Sequence, residues 1–409
     1  GVMIGILEAV NYLLKVGFAP KRTVYLAFGE DEEVSGARGA EKIAQTLKDR
    51  GVHLSFLLDE GGTIMENTVP GIEKPVGLIG VAEKGHLSLQ LRSQTAPGHA
   101  SAPGEITAIG ALALAIATLE NNPFPQDLEM AEFMMSFLAN ELSFKERMVF
   151  ANLWLFGPVV KKRFASFPSA NAVTRTTVAP TIIHGGKTEN VLPAVAEATL
   201  NIRPMPGETL LEVYKHLNEL VADETVSLLP AHGEQLYGDH SWDPTQISDV
   251  DSLQFQILLN LIKATVPGSL AAPFLMTGAT DARHYLPVCS RVFRFSPLVL
   301  TKSESETVHG VNERLSFENA ARIVGFMIGV IQRLSSLEVD SIDDTDDEMD
   351  EEDLSAEERA IRELETPLPT RPMHKPPVTE EPRLPAPSEE WEALPEDDEP
   401  LEVKPMRKK

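Results

Sequence analysis

Apolar runs that end in acids shape the first part of the chain. Residues 24–28 are an unbroken apolar run, closed by Gly29-Glu30-Asp31-Glu32-Glu33. Such a run reads as a buried parallel strand. The acids then sit at its carboxyl end, where open α/β sheets place their sites. Gly36 and Gly39 lead into a helical pattern that runs to Arg50, with Gly51 as its stop. Residues 54–58 repeat the theme and end in Asp59-Glu60-Gly61-Gly62. Strand, helix, strand is a βαβ unit. Its right-handed crossover puts both carboxyl ends on one sheet edge, so Glu33 and Asp59 are expected to converge. Upstream, Met3, Ile6, Leu7, Val10, Leu13 and Leu14 stand at helical spacing and predict a core-facing helix over 1–17.

The pattern changes near Gly85. His86-Leu87-Ser88-Leu89-Gln90-Leu91 alternates as a sheet with one wet face does. A turn-rich loop spans 97–103, and an Ala- and Leu-rich helix spans 106–119. Residues 128–167 read as helical and carry Met130, Phe133, Met134, Met135, Phe137 and Trp154. This insertion either lines a greasy pocket or is simply core. Strands follow at 173–183 and 196–202, a helix at 210–221 and a strand at 226–229. The order β-α-insert-β-β-α-β is ferredoxin-like. An α/β fold results, with an antiparallel α+β domain inserted into it. The host resumes near Asp249 with a helix over 251–264, a strand over 290–295 and a last helix over 316–334. The expected organisation is 1–85 and 239–335 for the host, 86–238 for the insert, and 336–409 for a tail.

Composition adds one contrast. The 409 residues are 43% hydrophobic and 24% charged, enough for two cores. Net charge is −25. The segment 336–409 alone holds 25 acids, nine bases and eleven prolines. It cannot bury a core and is expected to be a disordered acidic tail, with one transient helix over 355–365. A solvated tail and a docking segment for a basic partner are the two readings of it. The rest is only moderately acidic, without the basic footprint of a nucleic-acid binder. A lone cysteine, Cys289, excludes an internal disulfide framework. No apolar run reaches membrane-spanning length. The chain opens on Gly1 inside a helical pattern and reads as cut at its N-terminus.

Neighbouring acids raise one another's pKa unless a cation sits among them. A solvated acidic loop is one reading of Glu30 to Glu33. A metal site is the other: Glu33, Asp59 and His309 lie at loop ends where they can serve as ligands. Glu32, one residue out of phase, is then placed to act as a general base.

Together the motifs resemble the co-catalytic zinc metallopeptidases of the aminoacylase and carboxypeptidase S family. Gly29-Glu30-Asp31-Glu32-Glu33-Val34-Ser35-Gly36 is similar to the family's Asp-Glu-Glu motif, and Leu58-Asp59-Glu60-Gly61-Gly62 to its second ligand motif. Gly98-His99-Ala100-Ser101 follows, then Gly185-Gly186-Lys187-Thr188-Glu189-Asn190 with Asn201-Ile202-Arg203-Pro204. Thr280-Asp281-Ala282-Arg283 and Val308-His309-Gly310-Val311-Asn312-Glu313 close the series. The resemblance covers about residues 1–335 and lies nearest the branch that makes and hydrolyses N-fatty-acyl amino acids.

What the resemblance implies is specific. Two Zn2+ ions would be held, with Glu33 and Asp59 on different metals and His309 as a terminal ligand. Glu32 would be the general base. His99, on the inserted lid, would bind the oxyanion, often across a homodimer formed through that lid. Asn190 and Arg203 would hold the substrate, Arg203 as a fork on a carboxylate. Arg283 is either a substrate contact or half of a buried ion pair. The family's His-x-Asp motif and bridging Asp do not occur in these residues, so one ligand histidine and the bridge are missing. An amidohydrolase on N-acyl amino acids or peptides, secreted like that branch, is one expectation. A catalytically inactive form with an interaction role is the other.

Overall fold

A computed structural model describes residues 1–337, leaving out 67, 68, 70, 234, 239 and 306. The acidic segment beyond Leu337, its expected helix and its basic partner lie outside the described residues.

Helix α1 (Val2–Lys15) is followed by an extended stretch, a 3₁₀ turn (Glu32–Val34) and α2 (Ala40–Asp49), which Gly51 ends at φ 66°. Strands β1 (Leu57–Met65), β2 (Val76–Glu83) and β3 (Leu87–Gln94) follow, then the short β4 (Gly98–His99) and α3 (Ala108–Asn121). The helical insertion comprises α4 (Glu129–Phe137), α5 (Phe144–Phe150), α6 (Leu153–Ala165) and α7 (Pro168–Ala172). Next come β5 (Thr177–His184), β6 (Val191–Leu192), β7 (Val195–Arg203), α8 (Leu210–Val221) and β8 (Val226–Pro230). Then α9 (Leu253–Thr265), β9 (Leu270–Met276), β10 (Val292–Leu300), α10 (Lys302–Ser305) and α11 (Phe317–Leu334) close the described chain. Local chemistry sets the helix starts. Thr107, Ser252 and Ser316 cap α3, α9 and α11 by accepting a backbone N–H. Ser143 with Glu146, and Thr209 with Glu212, form capping boxes on α5 and α8.

The first sheet is mixed, in the order β1-β10-β2-β9. β1 runs parallel to β10 and β2 parallel to β9, while β10 meets β2 antiparallel through Arg294 and Gly80. Every residue of β2 is buried. α9 and α11 pack their apolar stripes on this sheet, joining Ile79, Val81, Phe293 and Phe295 in one core. β9 has no counterpart in the pattern-based expectation. Its Ala-Ala-Pro core carries little strand propensity, and position beside β2 makes it a strand.

Two expectations for the N-terminal part do not hold. Residues 24–28 are extended but not a strand, and Val24, Tyr25, Leu26 and Phe28 are each about 40% exposed. A strand needs a ladder, and among the described residues none runs beside this segment. Nor does α1 bury the whole stripe assigned to it. Gly5, Ala9 and Leu13, four residues apart, are its buried face, with Gly5 pressed against Ile323. Met3, Leu7 and Leu14 face solvent, because α11 covers one side only.

The second sheet is antiparallel, in the order β5-β7-β3-β8. With α3 and α8 against one face it has ferredoxin-like connectivity, and it lies in sequence between β2 and β9. β3 alternates buried and less buried residues as its sequence predicts. In the insertion, Ala131, Met135 and Leu138 are core. Trp154, Leu155 and Val159 are not: all three stand in solvent.

Candidate active site

The acidic loop is built around Asp31. Its buried carboxylate accepts the N–H groups of Arg38 and Gly39, each at 2.8 Å, and its carbonyl accepts that of Gly36 at 2.8 Å. The Arg38 amide, ahead of the others, holds this carboxyl below its usual range. Mutual repulsion therefore does not govern Asp31, which is a structural acid. Gly36, at φ 68°, brings the loop so near Asp281 that a Cβ there would collide with its carboxylate.

Glu32 is different. It sits half-buried in the 3₁₀ turn, and its carboxyl is pushed up to about 7. Desolvation is the largest cause, followed by the charges of Glu60, Glu33, Asp281 and Asp59. Asp281 is pushed up to about 6, again by desolvation first and by Asp59 next. Burial raises Asp59 as well, against the Glu60 amide that donates to it at 2.8 Å. Glu33 is exposed, with an oxygen 3.6 Å from His309 Nδ1. His309 holds a left-handed backbone at φ 57°, the kind of conformation that clusters at functional sites. So Glu32, Glu33, Asp59 and His309, 277 positions apart at their extremes, lie in one electrostatic neighbourhood with Glu60 and Asp281.

A basic and aromatic wall adjoins these acids. Arg283 donates to the carbonyls of Thr280 (2.7 Å) and Ser35 (2.6 Å), and its guanidinium lies 4.1 Å over the Trp242 ring. It thereby ties the acidic loop to the wall. Trp242 stacks on His86, with ring centroids 4.9 Å apart. His86 Nε2 meets Asn201 Nδ2 at 3.0 Å, and Arg203 Nε donates to Asn201 Oδ1 at 3.1 Å. Burial lowers the pKa of both Arg203 and Arg283.

His99 and Asn190 are elsewhere. They share the small β4–β6 ladder, where Ala100 N–H donates to the Asn190 carbonyl at 3.0 Å. His99 Nδ1 lies 2.8 Å from Ser101 Oγ, and both His99 and Asn190 are exposed. That ladder adjoins the start of β7, whereas Arg203 ends it. At about 3.4 Å per residue the two ends of β7 are roughly 27 Å apart. Within one chain, His99 and Asn190 thus lie by the opposite end of β7 from Arg203.

Among the described residues no three His, Cys, Asp or Glu side chains stand close enough to grip a metal ion. The donor chemistry nevertheless fits a divalent cation. Several carboxylates crowd one half-buried place, and His309 is the imidazole beside them. Glu33, Asp59 and His309 are the groups that would hold it. Sequence reasoning missed Glu60, His86 and Trp242. Nothing in spacing links 86 to 242; an isolated antiparallel bridge does.

Beneath the site lies a buried pair. Glu83 and Arg294 are fully buried, with Arg294 Nε 2.9 Å from Glu83 Oε1. The same oxygen accepts Thr280 N–H at 3.0 Å and Thr280 Oγ1 at 2.5 Å. Arg294 is also the register partner of Asp59. The pair therefore anchors both the turn that carries Asp281 and the strand that carries Asp59.

Residues 81–228 match the family of peptidase dimerisation domains. Over 333 residues the chain is 39% identical to N-fatty-acyl-amino acid synthase/hydrolase PM20D1 of Xenopus tropicalis, covering 81% of this chain and 64% of that protein. It is 36% identical over 334 residues to probable carboxypeptidase S-like 2 of Dictyostelium discoideum, covering 81% and 63%. The chain thus spans a little under two thirds of these relatives. In fold it is similar to the M20 family metallo-carboxypeptidase Sso-CP2 from Sulfolobus solfataricus, with TM-score 0.54, 17% identity and 81% and 74% coverage. Human carnosine dipeptidase 1 follows at TM-score 0.51, 14% identity and 82% and 72% coverage.

Proposed function

Because the chain belongs to the M20 metallopeptidase family, near the N-fatty-acyl-amino acid synthase/hydrolases, we propose that it works as an amidohydrolase on N-acyl amino acids. N-Fatty-acyl amino acids are the substrate class, after those relatives. The observation that carries this reading is the meeting of Glu32, Asp59 and Glu60 with Asp281 beside a wall that holds Arg203.

Glu32 takes the proton of the attacking water on its carboxylate and returns it to the leaving amide nitrogen. The acyl C–N bond breaks, a C–O bond forms, and a fatty acid and an amino acid leave. The reverse order forms the amide. Arg203, held by Asn201, pairs its fork with the substrate carboxylate. Glu33, Asp59 and His309 would hold zinc, which when bound supplies Lewis-acid polarisation of the acyl carbonyl. His99 and Asn190 serve the site of a second copy in a homodimer formed through the second sheet, a reading supported by their place at the opposite end of β7 from Arg203.

A second reading has one observation in its favour: among the described residues no three His, Cys, Asp or Glu side chains stand close enough to grip a metal ion. On that reading these 409 residues are inactive alone, and further donors lie outside them. The test is hydrolysis of an N-fatty-acyl amino acid by the chain, alone and within a protein of the relatives' full length, with Glu32→Gln in each. In an active form Glu32→Gln is expected to keep its zinc and lose about 10²–10⁴-fold in turnover. Near-normal turnover, or loss of zinc, removes Glu32 from its role. Activity in neither form overturns the amidohydrolase reading.

A further inference from the structure

The helical insertion carries a surface that neither the core nor the acidic site uses. On α6 the exposed residues fall in pairs four apart: Trp154 and Leu155, Pro158 and Val159, Lys162 and Arg163. That spacing is one helical stripe. It begins with two apolar turns and ends with a basic one. Trp154 is 82% exposed and Val159 69%. The opposite side of the helix buries Gly157 and Val160. α5, which packs on α6, repeats the composition: Phe144 is 74% exposed, with Lys145, Arg147 and Met148 also in solvent.

Charge makes this stripe unusual. Residues 143–167 hold five basic residues and one acid, in a chain of net charge −25. Asp127, Glu129 and Glu132 line a cleft beside the stripe, together with Gly157, Pro158 and Lys161 of α6. An exposed tryptophan among aliphatic side chains, followed by a lysine and an arginine, suits the boundary between headgroups and acyl chains. The Arg163 guanidinium lies 4.5 Å over the Phe167 ring.

We propose that the α5–α6 face docks the protein on an anionic phospholipid surface. The apolar turns enter the headgroup boundary and Lys162 and Arg163 meet lipid phosphates and carboxylates. The charge complementarity of a basic patch on an acidic chain selects this occupant. The surface stands independently of the amidohydrolase reading.

The test is co-sedimentation of the 409-residue chain with phosphatidylcholine vesicles, with and without phosphatidylserine. The expected result is salt-sensitive capture by the phosphatidylserine vesicles. Each basic residue near such a surface is worth about fivefold, so Lys162→Ala with Arg163→Ala should weaken binding roughly 25-fold. Leu155→Ser with Val159→Ser should weaken it too, with an unchanged melting temperature because both residues stand in solvent. Indifference to phosphatidylserine or to these variants overturns the proposal. So does a melting temperature that falls in the serine variant, which would mean that protein covers the face. Capture that appears only after removal of 338–409 gives the face to the chain's own acidic segment and also overturns it.

Discussion

Arg294→Met isolates the buried pair beneath the site. Glu83 and Arg294 have no exposed side-chain surface, and one Glu83 oxygen takes three hydrogen bonds, from Arg294 and from Thr280 twice. The other Glu83 oxygen and Arg294 Nη2 have no hydrogen-bond partner among the described residues. The net worth of the pair over an apolar replacement is therefore small, while breaking it strands a charge in a dry interior. Loss of one partner of such a pair costs about 3–5 kcal/mol. At about 2–4 °C per kcal/mol the melting temperature should fall by roughly 6–20 °C. Glu83→Leu alone should cost a similar amount, because it strands Arg294 and frees both Thr280 donors. The double variant should cost less than the sum by about 2–3 kcal/mol. Urea unfolding of the four proteins, followed by far-ultraviolet circular dichroism, measures all three quantities. A cost below about 1 kcal/mol for Arg294→Met, or strict additivity in the double variant, would refute the stranded-charge reasoning.

Other outcomes follow from single side chains. Lys84 is buried and donates to the carbonyls of Ala172 (2.9 Å) and Arg175 (2.7 Å), while desolvation pushes its ammonium from 10.5 down to about 7. Between those values the unfolded chain binds the extra proton, so stability rises with pH across that window. Lys84→Met lacks the titration, and the stability difference between wild type and variant should grow in favour of wild type from pH 7 to 10.5; a flat difference in urea midpoints refutes the linkage. Arg203→Lys keeps charge but loses the planar fork, so substrates with a free carboxylate should suffer far more in kcat/KM than their amides. Equal losses for acid and amide would make Arg203 a structural residue.

Local pattern and tertiary contact decided different parts of this protein. Period, caps and turn residues made α3, α8, α9, α11 and the alternating β3 legible, because those signals act within a few residues. The order of these elements carried the ferredoxin-like sheet. Acids after an apolar run marked the loop that holds Glu32 and Glu33. Pattern could not say that 24–28 lacks a ladder, since a strand is defined by its neighbour and not by its own residues. For the same reason β9 was invisible: an Ala-Ala-Pro run becomes a strand only beside β2. α1 shows the limit of amphipathic reading, because its apolar stripe is wider than the one side that α11 covers. In the site, motif order pointed to Glu32, Asp59 and His309, but desolvation raises the carboxyls of Glu32 and Asp59, and acids that folding brings in raise Glu32 further. Tertiary structure alone put Trp242 between His86 and Arg283, set Glu83 against Arg294, and held His99 at the far end of β7 from Arg203. Those are contacts across 41 to 211 residues, or separations along a strand, and sequence spacing encodes neither.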